Sequence, residues 1–305
     1  MSSVYVASAQ QKDIAAYSVN GGQVSSVGKP VMTPGAAPSA VAATANGDLL
    51  YAATEAGAIY LYRIVGDGSL RLANGGAAVA HVDHPVRMTL DRSGNWLFVA
   101  SSSTSRLYQF RVDAVNGTLQ AASASTITLS AAAAAQIYLS PDDRNLFAAL
   151  GSGGVDAFSF DPNSGSVGPM SHVAPLSPGK PKDSAVTSDP ASKFLFVGEA
   201  GSGVRVLRIV SDGVLQEISG SPFASPQLTT ASLVVTPANG QLMVADSNSS
   251  TIQGFSIGTG GALTPASRTA SNVASSPAAL SLGTSGNYVV ALSGGSTPSL
   301  RLIGF

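Results

Sequence analysis

One pattern of apolar and polar positions recurs along the chain: a turn pair, three or four apolar residues, then small or polar ones. It reads NGDLLYAATEAG at 46–57, SGNWLFVASSST at 93–104, DDRNLFAALGSG at 142–153 and ASKFLFVGEAGSG at 191–203. It returns as NGQLMVADSNSS at 239–250 and SGNYVVALSGGS at 285–296, and the N-terminal VYVASAQQ enters the same phrase part-way through. The equivalent positions Val4, Leu50, Leu97, Leu146, Leu195, Leu242 and Val289 are 46 to 49 residues apart. The chain is therefore a sevenfold repeat of about 47 residues.

A second phrase follows each of these and alternates with period two: DIAAYSV, AIYLYRIV, RLYQFRV, GVDAFSF, GVRVLRIV, TIQGFSI and SLRLIGF. Such alternation marks half-buried strands. Next come turn pairs, Asp67-Gly68, Asn116-Gly117, Ser164-Gly165 and Asp212-Gly213, which supply the positive φ of tight hairpins. A weaker strand then leads through a Pro-containing link to one more apolar strand, as in PSAVAAT and LTTASLVVT. Four short antiparallel strands per unit, repeated around an axis, predict an all-β, seven-bladed β-propeller filling 1–305 as one domain. Labelled A (inner) to D (outer), the strands begin at B of the first repeat and end at C of the seventh. That register predicts 26 strands, with three-stranded first and seventh blades whose open edges are able to accept a strand. SAAAAAQIY at 130–138 has helix propensity, but its register predicts an inner strand.

Composition changes this picture little. Of 305 residues 44% are hydrophobic and only 11% charged, enough apolar content for a substantial core. With a net charge of −1 and no basic block, a nucleic-acid partner is not expected. Cysteine is absent, no apolar run reaches the roughly 18 residues of a membrane span, and the N-terminus shows no signal-peptide pattern. The expectation is a cytoplasmic protein with no cofactor and no membrane partner.

The repeat lacks the Gly-His and Trp-Asp pairs of WD40 blades and the paired glycines of kelch blades. Its phrase, Pro-x-x-x-x-(Leu/Phe)-(Tyr/Phe)-Val-Ala followed after a gap by apolar-x-x-(Tyr/Phe)-x-(Val/Ile) and Gly-x-Leu, resembles the lactonase family typified by propeller-type 6-phosphogluconolactonase and carboxymuconate-lactonising enzyme. VYVASAQQKDIAAYSV is also similar to the start of that family's first blade. The resemblance implies a 6-phosphogluconolactonase-like sugar-lactone hydrolase with its site at the central channel mouth. There a general base would take a proton from water while cations hold the oxyanion. The family's Gly-Pro-Arg-His before the fifth inner strand reads Lys180-Pro181-Lys182-Asp183 here, and the family carboxylate after the following strand matches Glu199. Family histidines fall on Arg87, Ala135 and Val234, and an Asp-Arg pair reads Asp246-Ser247. The resemblance thus implies Glu199 as the catalytic residue, with Lys182, Asp183, Arg87 and Asp246 as substrate-binding residues, and the charges of the shared links add His84 and Lys180 to that expectation.

Read from the residues alone, the D-to-A and B-to-C links share one face. His81, Asp83, His84, Arg87, Lys180, Lys182, Asp183, Glu199, Asp246 and Glu55 collect there. They fit either an anion-binding site or a solvated charged rim. Corresponding strand ends elsewhere read Gln10 or a neighbour, Glu55 or a neighbour, Ser101, Leu150, Asp246 and Leu292, so the turn does not require the carboxylate of Glu199. His81-Val-Asp-His84 matches no standard zinc spacing, and Asp161-Pro-Asn-Ser-Gly165 reads better as a hairpin turn than as a calcium loop. Arg63, Arg111, Arg208 and Arg301 recur in C strands, which argues for packing. The alternative function is a non-catalytic propeller that binds a small anionic ligand or a protein partner.

Overall fold

The computed structural model describes residues 2–131, 134–175, 183–211, 213–223, 228–237, 240–266, 271–272, 276–282, 288–293 and 299–304. They form seven antiparallel sheets in chain order, the blades of a seven-bladed β-propeller. Blades 1 and 7 have three strands each. Among the described residues the main paths of the sheets hold 26 strands, as the repeat register predicts, and the sole helical segment is a 3-10 turn at Asn74–Gly76.

Two short extra strands, Ala80–His81 and Ser271–Asn272, are absent from the sequence-based strand count. Each pairs with the C strand of its own blade beyond the main D strand. In blade 3 the D strand Leu119–Thr128 stays continuous, but its register against the C strand shifts between Tyr108 and Phe110. In blade 2 the interruption extends from Leu72 to Ala80, and the D strand divides in two. The alanine-rich run also departs from expectation. The strand covers Gln136–Leu139, residues 130–131 and 134–135 are irregular, and 132–133 lie outside the described residues.

The chain divides into two compact units, one of residues 1–139 with 160–167, the other of 140–159 with 168–305. In the first, B strands Leu49–Thr54 and Trp96–Ser101 are buried along their whole length, so they read as continuous apolar runs rather than alternations. Its core lies between blades: Tyr51, Ile59 and Leu61 of blade 2 meet Leu97, Val99 and Phe110 of blade 3. The hairpin turn of one blade docks on the blade before it. Tyr51 Oη donates to Gly117 O at 2.7 Å, and Gly165 lies so close to the Trp96 ring that a Cβ there would sit 2.2 Å from Cη2.

The second unit repeats the design. Phe194, Phe196, Val204 and Val206 of blade 5 form one cluster with Leu233, Leu242, Val244 and Phe255 of blade 6. Gly213 N donates to the buried Asn145 Oδ1 at 3.1 Å, and Gly261 stands against Phe194. The hairpin glycines Gly68, Gly117, Gly165 and Gly213 have positive φ, as the turn pairs predict, and so does Gly261, whereas Asp212 lies outside the described residues.

Candidate functional site

Glu199 is the last residue of the blade 5 B strand, Phe194–Glu199, and stands opposite Asp183 of the inner strand. The equivalent strand ends are Ser8, Thr54, Ser101, Leu150, Asp246 and Ser293, one or two residues earlier in blades 1 and 2 and one later in blade 7 than the sequence reading places them. The short polar members satisfy nearby backbone groups. Thr54 Oγ1 donates to Ala58 O at 3.1 Å, and Ser101 Oγ donates to Asp83 O at 2.6 Å. Asp246 Oδ1 accepts the N–H groups of Thr229 (3.1 Å) and Asn248 (3.0 Å), and Oδ2 accepts the Ser249 hydroxyl.

Glu199 does something different. It is fully buried, and its Oε1 accepts a hydrogen bond from Arg205 Nη1 at 3.1 Å. Arg205, 2% exposed, also donates to Glu217 Oε2 at 2.8 Å and to Ala174 O at 2.9 Å. Ser221 Oγ closes the network by donating to Glu217 Oε1 at 2.9 Å. Glu199 Oε2 is buried with no hydrogen-bond partner. A bare carboxylate oxygen in such a place is costly, and native proteins keep few of them.

The backbone explains why the carboxylate ends here. Gly198 precedes it, and a Cβ at Gly198 would lie 2.3 Å from Thr230 Cγ2 on the inner strand of blade 6. The neighbouring strand packs directly on the Gly198 backbone, next to Glu199. Arg205 is delivered by the C strand Gly203–Ser211, opposite Val197 and two residues before Leu207, which pairs with Leu195. At that register position blade 4 carries Asp156 and blade 3 carries Tyr108. Asp156 is fully buried and bonds His172 Nδ1 through Oδ1 at 2.8 Å.

The structure thus supplies a cation to Glu199, but from a residue the sequence reading passed over. Arg205, Glu217, Asp156 and His172 were all missed. The available signal was that a charge stands between Val204 and Val206 where another blade has tyrosine. Lys180 and Lys182 lie outside the described residues, and Asp183 is placed by its backbone pairing alone. In the first unit, Arg87 spends its guanidinium on backbone: Nε donates to Ala135 O at 2.6 Å and Nη1 to Val86 O at 2.7 Å. Desolvation by the surrounding protein draws its pKa below the ordinary arginine value. His84 is exposed, adopts φ +44°, and its carbonyl accepts the Ser102 N–H at 2.9 Å. His81 and Asp83 are exposed as well. Among the described residues no three acidic or histidine side chains converge as a metal-binding set. Asp161 accepts the Asn163 N–H (3.1 Å) and the Ser164 hydroxyl (2.6 Å), the bonding of a capped hairpin turn.

The sequence matches the family model described as "Lactonase, 7-bladed beta-propeller" over residues 3–297. No curated protein sequence matches the chain. Among solved structures, a candidate 6-phosphogluconolactonase of Bacteroides uniformis aligns with a TM-score of 0.75 at 18% identity, covering 99% of this chain and 96% of that one. The periplasmic gluconolactonase of Pseudomonas aeruginosa aligns with a TM-score of 0.71 at 17% identity, covering 99% of each chain. Hydrazine synthase of Kuenenia stuttgartiensis aligns equally well, with a TM-score of 0.72 at 15% identity over 100% of this chain and 92% of that one. At these identities the structural likeness carries the fold alone.

Proposed function

The chain belongs to the lactonase family of seven-bladed β-propellers, and from that premise we propose that it opens a sugar lactone of the gluconolactone or 6-phosphogluconolactone type. The observation that carries this reading is the Glu199 carboxylate, one oxygen held by Arg205 and the other buried without a partner. Water attacks the lactone carbonyl carbon, and its proton passes to Glu199 Oε2. The resulting oxyanion collapses, the bond from carbonyl carbon to ring oxygen breaks, and the ring oxygen takes the proton to become a hydroxyl. A positioned carboxylate base contributes about 10²–10⁴-fold to such a step. Arg205 compensates the charge of Glu199 and occupies Oε1, which leaves Oε2 as the oxygen able to take the proton. Lys182 and Lys180 are the proposed cations for a substrate phosphate, with Asp183 as a further substrate-binding residue.

The test is lactone opening followed by acid release with an indicator dye. Wild type should exceed the buffer rate, and Glu199→Gln should lose about two or more orders of magnitude. If wild type and variant both match buffer, hydrolysis is not the function. The complete burial of Glu199 beside Arg205 favours one other reading, a non-catalytic propeller that binds a small anion or a protein. A raised melting temperature with sugar acids and no turnover would select small-anion binding.

A further inference from the structure

Three arginines occupy one register position in the repeat. Arg63 stands opposite Leu49, Arg111 opposite Trp96 and Arg208 opposite Phe194. Two of them have clear structural work. Arg63 Nη2 donates to Val115 O and Asn116 O, each at 3.4 Å, and so clasps the hairpin turn of blade 3. The Arg208 guanidinium lies 5.4 Å from the centroid of the Phe194 ring. The Arg111 side chain has no hydrogen bond, ion pair or ring contact among the described residues. The turn it would clasp, residues 161–165, is held instead by Trp96, whose Nε1 donates to Pro162 O at 2.8 Å.

In place of a clasp there is a pocket of about 290 Å³, whose walls include Trp96, Arg111, Asp113, Gln120, Pro162 and Asn163. Trp96, Arg111 and Gln120 are mutual partners across the B, C and D strands, so they form one row on one face of the sheet. Asp113 follows the last residue of that C strand, Val112, and also lines the pocket. Its Oδ1 accepts the N–H groups of Asn116 (3.0 Å) and Val115 (2.8 Å), and these two bonds hold its carboxyl below the ordinary carboxylate range. One positive and one negative side chain therefore line the same pocket without bonding each other.

We propose that this pocket binds a small amino acid as its zwitterion, with the carboxylate on Arg111, the ammonium on Asp113 and the side chain against Trp96 and Pro162. The planar guanidinium fork matches a carboxylate with two parallel bonds. Asp113 would repel a simple carboxylate and Arg111 a simple amine, so the pocket selects a molecule that carries both charges. Its volume is at the small end of ordinary ligand sites, roughly 300–1,000 Å³, which suits a ligand of amino-acid size. The site is independent of Glu199 and of lactone hydrolysis.

Trp96 is the only tryptophan in the chain, so its fluorescence reports on this pocket alone. Leucine, threonine and phenylalanine are titrated by fluorescence and calorimetry, with 4-methylpentanoate and 3-methylbutylamine as the two halves of leucine. At least one amino acid should bind, and both half-molecules should bind at least about ten-fold more weakly than leucine or not at all. Arg111→Met, which keeps the aliphatic stem, and Asp113→Asn, which keeps the turn-capping oxygen, should each weaken binding about ten-fold or more. If Asp113→Asn does not fold, Arg111→Met alone decides, because Arg111 is exposed and its guanidinium makes no bond among the described residues. No signal with any of the three amino acids, equal binding of 4-methylpentanoate, or binding unchanged in Arg111→Met would each overturn the proposal.

Discussion

Glu199, Arg205 and Glu217 form a chain of alternating charge whose two ends differ in access to water. Glu199 is fully buried, whereas the Glu217 side chain keeps 31% of its surface. Removing the central cation should therefore strand one carboxylate and merely release the other to solvent. Arg205→Met should cost about 3–5 kcal/mol, the usual penalty for leaving a buried charge unpaired. Adding Glu199→Gln removes the stranded charge, so the double variant should recover most of that loss. Urea unfolding of wild type, both singles and the double measures this directly. A double variant no more stable than Arg205→Met would show that packing of the arginine stem, not charge, is what the network supplies. Two tyrosines provide a second test at the same scale. Burial pushes the Tyr62 hydroxyl up to about 12 and that of Tyr51 higher still, because each phenolate would form in a low-dielectric core. Their folded pKa values lie above the unfolded value near 10, so this stability is complete below pH 10 and declines as pH rises toward 12. Absorbance titration at pH 11 should leave two tyrosines un-ionised until the protein unfolds.

Among elements, the hairpin between C and D strands reaches onto the preceding blade. Gly165 combines φ +76° with contact against Trp96, whereas Gly47 has φ +75° and nothing within 4 Å of its would-be Cβ. The pair separates two costs. Gly47→Ala should lose about 1–2 kcal/mol through its left-handed backbone alone. Gly165→Ala should lose clearly more, because the indole must move as well, and equal losses would mean that the turn does not hold the blade. The turn aspartates act on the same hairpins. Hydrogen bonds from Ser164 and the Asn163 N–H hold Asp161 below the ordinary carboxylate range, as those from the Asn116 and Val115 N–H groups hold Asp113. With folded pKa values depressed, their contribution is present above the unfolded value near 3.9 and is lost as pH falls through the folded values. Stability measured between pH 6 and pH 2.5 should fall less steeply in an Asp113→Asn/Asp161→Asn variant than in wild type.

Across the whole chain, the fold was legible because a repeat multiplies a weak signal: seven copies of one strand phrase define register even where a single copy is ambiguous. The site was legible only in part. Glu199 showed itself because equivalent strand ends also carry Ser and Leu, so the turn does not require its carboxylate, but Arg205 did not. Period-two alternation says that Arg205 faces away from Val204 and Val206; it does not say that this second face is also covered. The charged residues of the links face a related difficulty, since sequence places Arg87 and Asp246 on a common face yet the backbone atoms beside them claim both side chains. The whole chain carries little net charge. Sixteen cations against seventeen anions put the net charge at −1, with a sequence pI near 6.3. Mutual repulsion between molecules is therefore weak near neutrality. Blade 1 ends on an outer strand, Gln23–Met32, that carries Lys29 and Pro30, residues that disfavour strand pairing at an edge. Association should then be governed by charge more than by edge pairing. Light scattering at low salt should peak near pH 6.3 and fall by pH 9, as the molecule becomes more anionic. Scattering that ignores pH but rises on replacing Pro30 with Val would assign association to the outer edge of blade 1 instead.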